Sequence, residues 1–280
     1  MTRILRSLLF APANRPDLMG KFGRVEADGY VLDLEDGTPP DERPGARADL
    51  PRAWADARAS VGHRADLMVR VNAADTPDFT ADCEAVRAAG CDRVVLSKAE
   101  IPEQVRATAA QCAAQVLVGI ESVAGVMAAE ALAAAPDVFA VFFGAEDYIA
   151  DLGGLRTREG FEVLYPRSRV AMAARLAGVQ ALDQVTVDLR DDDLFRSDTA
   201  AGRALGYTGK MCLTPGQVAL ANAAWGPDAA AVAEAQALID AYEAATRAGH
   251  GTISHKGRMI DGPVLKQARA VVEQGQRAGG

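Results

Sequence analysis

The chain has 280 residues, 49% of them hydrophobic, with a formal net charge of -8. That is enough apolar material for one large α/β domain or two small ones, and the acidic balance disfavours a nucleic-acid partner, because non-specific binding there depends on many Lys and Arg contacts with phosphate. The longest apolar stretches, such as 138–144, are too short to span a bilayer and no basic-then-apolar leader opens the chain, so a cytoplasmic protein without a membrane partner is expected.

Taken in chain order, short apolar runs recur at 7–10, 29–34, 67–71, 93–96, 116–120, 139–143, 184–187 and 210–213. Each reads as a strand buried on both faces. Between them lie Ala-rich stretches with helical spacing, among them 80–89, 102–114, 125–134, 165–177 and 198–205. Gly90, Gly178 and Gly206 stand where a helix gives way to the next strand, in the position of a left-handed C-terminal cap. Eight alternating units without a Gly/Ser or Pro linker predict an α/β fold, a closed (β/α)8 TIM barrel over 1–248. A helix at 229–247 precedes a C-terminal extension, 249–280, with alternating character to 260 and a final helix from about Pro263. The Gly262-Pro263 step puts Asp261 at a corner of the backbone, where it is also suited to cap that helix.

Several chemistries find no support. Cys83, Cys91, Cys112 and Cys212 form no C-x-x-C pair and read as buried free thiols, while His63, His250 and His255 lack metal-binding spacing. No phosphate-cradling glycine loop of the P-loop or dinucleotide kind is present. Barrel active sites gather at the C-terminal ends of the strands, and there the sequence is acidic: Asp33, Glu35 and Asp36 follow the second run, Glu100 the fourth, Glu121 the fifth, Glu146 and Asp147 the sixth. Arg70, Asn72 and Lys98 are interspersed. So many carboxylates at one mouth repel unless cations offset them. With oxygen donors and no His or Cys in the pattern, Mg2+ suits the site, and Mn2+ can substitute.

Five ordered motifs carry a family resemblance: residues 6–12 (RSLLFAP), 32–36 (LDLED), 69–72 (VRVN), 144–147 (GAED) and 257–261 (GRMID). In order and spacing they resemble the citrate lyase beta subunit-like family, of the malyl-CoA/citramalyl-CoA lyase type within the HpcH/HpaI aldolase superfamily, from about Arg6 to about Arg269. The resemblance implies that Glu121 and Asp147 hold the metal and that Arg70 holds the substrate's carbonyl or enolate oxygen. It implies further that Glu35 and Asp36 serve the metal's water shell or the neighbouring cation, and that Arg15 and Lys21 contact the phosphates of coenzyme A, which enters as part of the substrate. Asp261 would transfer the carbon-bound proton, reaching a neighbouring subunit in a homo-oligomer, a trimer or hexamer. The expected reaction is Mg-dependent carbon–carbon cleavage, or condensation, of a 3-hydroxyacyl-CoA thioester such as malyl-CoA or citramalyl-CoA, giving acetyl-CoA and a 2-oxo acid.

Three positions depart from the family pattern. Thr214 stands where many relatives carry His, Ser97 where many carry Pro, and Ala13-Asn14 replaces a glycine-containing turn. They leave the metal set intact but can reshape the acyl or pantetheine channel. Other readings are a citryl-cleaving beta subunit acting on an acyl-carrier-protein thioester, a class II aldolase on free 2-oxo acids, and a non-catalytic binding barrel, since fold alone does not fix function. Arg70 has a structural alternative as an ion pair with Glu35 or Asp36, Asp33 reads as simply pointing into the barrel, Glu146 as a supporting residue, and Lys98 as the partner of Glu100 or another mouth carboxylate.

Overall fold

The computed structural model describes residues 3–226, 228–247, 249 and 251–278; His250 lies outside them. From the N-terminus, β1 (Ser7–Pro12) leads to a short α1 (Pro16–Met19), β2 (Gly29–Asp33) to α2 (Arg43–Val61), β3 (Asp66–Val71) to α3 (Phe79–Ala88), and β4 (Arg93–Leu96) to α4 (Pro102–Cys112). Next, β5 (Gln115–Ile120) leads to α5 (Val123–Met127) and α6 (Ala129–Ala133), and β6 (Val138–Phe143) to α7 (Ala145–Leu152) and α8 (Phe161–Ala177). Then β7 (Gln180–Asp183) leads to α9 (Asp192–Leu205) and β8 (Gly209–Cys212) to α10 (Pro215–Ala224). The eight strands form a closed parallel barrel in sequential order, β8 pairing with β1.

Side chains along a strand alternate between its two faces, and the buried cluster in the barrel takes the same face from each strand: Leu8, Val31, Met68, Val95, Leu117, Phe142, Leu182 and Met211. Continuing that alternation towards the C-terminal ends brings Asp33, Arg70, Ser97 and Glu121 onto the inner face. The polar mouth is thus the layer above an apolar plug. Gly90, Gly178 and Gly206 all have positive φ, as their capping positions require.

Two elements differ from the sequence reading. The seventh strand is Gln180–Asp183, not 184–187. Asp183 is fully buried because Arg167 of α8 donates to its Oδ1 at 2.8 Å, so a carboxylate ends this strand where an apolar run was expected. Asp198 of α9 joins the network, 2.9 Å from Arg167 and 2.5 Å from the Lys210 ammonium of β8. The helix expected over 125–134 is broken at Ala128 (φ -98, ψ 6) into α5 and α6.

The chain divides into two compact units, Met1–Ala224 and Trp225–Gly280, so the division falls before the helix at 229–247 rather than after it. In the second unit, α11 (Ala229–Arg247) packs on α12 (Gly262–Ala278) through Ala235, Ile239, Leu265 and Ala268. That apolar contact accounts for α11 belonging with α12. Between them lies a hairpin of β9 (Ile253–His255) and β10 (Arg258–Ile260). Its turn residues Lys256 and Gly257 both have positive φ, as a two-residue hairpin turn of matching twist demands. No described helix is long and apolar enough to cross a membrane.

Barrel closure depends on close approach of β8 to the segment entering β1: a Cβ on Gly209 would lie 1.8 Å from the Leu5 carbonyl oxygen. Gly209→Ala is therefore expected to destabilise the fold by about 1–3 kcal/mol or more. Gly45→Ala, in α2 with nothing within 4 Å of the added atom, should stabilise by roughly 0.5–1 kcal/mol. Urea unfolding of the two variants beside the parent checks both signs.

Candidate active site

The mouth is organised by a register match. Asp33 and Arg70 are direct partners across β2 and β3 and share the inner face, so their side chains meet. Arg70 donates to both Asp33 oxygens, Nε to Oδ1 at 2.7 Å and Nη2 to Oδ2 at 2.6 Å, while Nη1 lies 2.8 Å from Glu35 Oε2 in an ion contact too bent to be a hydrogen bond. The guanidinium also sits 5.2 Å from the centre of the Phe10 ring. Burial works against its charge, but Asp33, then Glu35 and Glu121, outweigh that and hold its pKa above the ordinary guanidinium value. Asp33 does more than point into the barrel, because it also accepts from the backbone N–H groups of Glu35 and Gly37 and so shapes the loop that carries Glu35 and Asp36. Asn72 ties down the same loop by donating to the Leu34 carbonyl.

Glu121 follows β5 on the inner face and is 2% exposed. The backbone N–H of Lys98 donates to its Oε1 at 3.3 Å. Burial first, then Glu35 and Asp147, against the opposing pull of Arg70 and Lys98, push its pKa from the ordinary 4.5 up to about 8. Space for this carboxylate comes from two glycines the sequence reading passed over: a Cβ on Gly119 would lie 2.2 Å from Glu121 Oε1, and one on Gly144 would lie 2.6 Å from its Cγ. Glycine inside a strand and at a strand end was the available signal, since such positions mark close approach.

Asp147 stands in the first turn of α7, where the helix dipole favours a carboxylate. The Lys98 ammonium bridges it to the second strand's loop, at 3.4 Å from Asp147 Oδ1, 2.5 Å from Glu35 Oε1 and 3.4 Å from Asp36 Oδ2. Lys98 therefore pairs with mouth carboxylates other than Glu100, which accepts instead from Ser122 Oγ at 2.7 Å. Glu146 pairs with Arg156 at 2.9 Å, as befits a supporting residue. Five carboxylates (Asp33, Glu35, Asp36, Glu121, Asp147) thus face two cations, Arg70 and Lys98. The residual negative charge, with one carboxylate wholly buried, fits a divalent cation. No three Asp, Glu, His or Cys side chains among the described residues form a closed metal cage; two carboxylates completed by water and substrate oxygens is the arrangement Mg2+ accepts.

The remaining expected residues make local contacts of their own. Arg15 and Lys21 flank α1 on the surface, both paired with Asp17, at 2.8 and 3.9 Å. Asp261, in the second unit, accepts from the backbone N–H of Val264 at 3.3 Å and so caps α12. Of the three departures, Thr214 Oγ1 accepts from Gln217 N at 3.2 Å, Ser97 Oγ donates to the Val71 carbonyl at 3.2 Å, and Asn14 donates to Glu42 at 2.6 Å.

Residues 6–215 match the family model described as HpcH/HpaI aldolase/citrate lyase. The chain belongs to that family. Its members include the citrate lyase subunit beta-like protein of Deinococcus radiodurans, 45% identical over 276 residues, covering 96% of each chain. The L-malyl-CoA/beta-methylmalyl-CoA lyase of Rhodobacter capsulatus is 32% identical, with 99% of this chain and 96% of that protein covered. Among solved structures, the CitE protein of Mycobacterium tuberculosis, in complex with magnesium, acetoacetate and coenzyme A, superposes with a TM-score of 0.83 at 30% identity, covering 96% of this chain and 97% of that one. Membership makes the chain an enzyme of the carbon–carbon lyase class.

A carboxyl whose pKa rises on folding holds its proton more tightly in the folded chain. In chelator-treated protein the stability due to Glu121 should therefore be full below pH 4.5 and lost as pH climbs through about 8. Glu121→Gln should flatten thermal midpoints across that interval, measured by scanning calorimetry in EDTA, and an unchanged slope would contradict the assigned burial of charge.

Proposed function

We propose that the protein is a Mg-dependent lyase that cleaves, or forms, the bond between the α and β carbons of a 3-hydroxyacyl-CoA thioester of the malyl-CoA or citramalyl-CoA kind. The observation that carries this reading is the excess of carboxylate over cation at the mouth, with Glu121 buried and in want of a counter-charge. The malyl-CoA lyase relative and the neighbour's magnesium and coenzyme A complex support the same reading.

Glu121 and Asp147 would hold the metal, Mg2+ or in its place Mn2+. When bound, it would supply Lewis acidity, chelating the substrate's carboxylate and hydroxyl and lowering the hydroxyl's pKa. Arg70 has five N–H donors, and its contacts with Asp33 and Glu35 leave donors on both terminal nitrogens for the thioester oxygen, where negative charge develops as the bond breaks. The pair with Asp33 fixes the guanidinium plane in advance, so little reorganisation is needed as the enolate forms. Glu35 and Asp36, linked through Lys98, would orient the metal's water shell. The first-turn N–H groups of α7 favour an anionic carboxylate beside Asp147. Arg15 and Lys21 would exchange their contacts with Asp17 for the phosphates of coenzyme A. Asp261 would return the proton to the enolate carbon, giving up its capping contact with Val264 when it does so.

A homo-oligomer, a trimer or hexamer, is part of the same proposal, with residues 249–280 completing an active site. One face of α8 supports it: Phe161, Tyr165, Met172 and Leu176 recur at helical spacing and are 78%, 61%, 63% and 80% exposed, an apolar patch that a second copy of the chain would cover. A cytoplasmic setting accords with the four cysteines, all free and buried.

Three outcomes are expected. Purified protein with Mg2+ should release acetyl-CoA and a 2-oxo acid from at least one of malyl-CoA, citramalyl-CoA and citryl-CoA, and Asp147→Ala should abolish the release; no turnover on any of them would overturn the proposal. Arg70→Lys keeps charge but loses the two-point pairing with Asp33, and kcat should fall by about a hundredfold or more, with Arg15→Ala/Lys21→Ala raising KM instead. Phe161→Asp/Leu176→Asp should reduce the assembled mass in light scattering, and an unchanged mass would remove α8 from the interface.

A further inference from the structure

Lys98 is one of four described non-glycine residues with positive φ, at +50°. The backbone is pinned on both sides of it: Ser97 Oγ donates to the Val71 carbonyl at 3.2 Å and Ala99 N donates to the Gly119 carbonyl at 3.0 Å. A left-handed turn between two fixed points aims the Lys98 N–H at Glu121 and its side chain along the mouth. Such a conformation costs about 1–3 kcal/mol in a side-chain-bearing residue and persists where surrounding contacts enforce it. The ammonium has three donors and meets three carboxylates, those of Glu35, Asp36 and Asp147, at 2.5, 3.4 and 3.4 Å. Lys98 thus touches both proposed metal ligands, Glu121 through its amide and Asp147 through its ammonium. A third of its side chain is solvent-accessible, so the flexible four-carbon stem has an outward path.

A divalent cation and an ammonium that share Asp147 cannot both keep their closest positions, because like charges a few ångströms apart in a half-buried site repel strongly. We propose that Lys98 is a built-in competitor for the divalent cation, gathering Glu35, Asp36 and Asp147 around its ammonium and moving outward when the metal takes Asp147. It sets the metal affinity of the site and keeps the three carboxylates converged, so that the cation meets a preassembled mouth. This rests on the metal reading given above. Lys98 acts here as a positioning residue, through Asp147 and Glu35, and takes no part in bond making.

The test is Mg2+ titration calorimetry of the full-length parent, Lys98→Met and Lys98→Arg, with acetylation of Lys98 by an amine-reactive ester followed by peptide mass spectrometry, with and without Mg2+. Removing the competing charge should tighten Mg2+ binding about tenfold, of the order by which one bound group commonly changes the affinity for another, while Lys98→Arg should stay close to the parent. In the parent, Mg2+ should raise the acetylation of Lys98 severalfold. A purely structural lysine predicts the opposite: weaker binding in Lys98→Met, and acetylation unchanged or reduced by the metal. Equal or weaker binding in Lys98→Met overturns the proposal, as does tighter binding without increased acetylation. Should Lys98→Met fail to fold, the parent's acetylation alone decides. Absence of Mg2+ binding in every protein would remove the metal reading itself, a failure distinct from equal affinity.

Discussion

Everything at the mouth of this barrel depends on one two-point ion pair, Arg70 on Asp33. It exists because the two residues are register partners on adjacent strands and face the same way. From it follow the position of the loop after β2, held by the Asp33 oxygens, and the placement of Glu35 within reach of both Arg70 and Lys98. Replacing either partner leaves an uncompensated buried charge, which is far costlier than the pair itself is favourable. The charge left over after this pairing is what, in the proposed reading, makes the barrel mouth a site for a cation.

The barrel supplies position and the glycines supply room. Inner-face alternation sets an apolar layer below and an acidic layer above, while Gly119 and Gly144 leave room on the inner face for a side chain as bulky as that of Glu121. Water is kept from Glu121 by the same close packing. Its proton affinity rises as a result, and a divalent cation there would displace that proton and supply the counter-charge the buried carboxylate needs.

Much of this was legible in the sequence because parallel strands buried on both faces read as short apolar runs. Seven of the eight were placed within a residue or two, and the acidic strand ends marked the mouth. The seventh run misled because Asp183 is made compatible with burial by Arg167 and Lys210, residues distant in sequence whose help no local pattern reveals. For Lys98 the short-range partner, Glu100, was as plausible as any, whereas its three carboxylates come together only when the barrel gathers the C-terminal ends of β2, β4 and β6 at one mouth. Arg70, Glu121 and Asp147 were singled out in the sequence by their places just inside or just after the apolar runs and by the family resemblance. The contacts that each makes, and the space made by Gly119 and Gly144, required the folded chain. Asp261 was readable both as a helix cap and as a proton carrier, and its contact with Val264 displays the first role.

The central claim is that the excess negative charge at the mouth is a divalent cation site held by Glu121 and Asp147. Its most direct test is the anomalous scattering of Mn2+, standing in for Mg2+, in crystals of the protein. The account predicts one strong peak at about 2.0–2.2 Å from a carboxylate oxygen of each residue, absent in Glu121→Gln. A peak bound elsewhere, or a mouth that binds no metal at millimolar Mn2+, would contradict it.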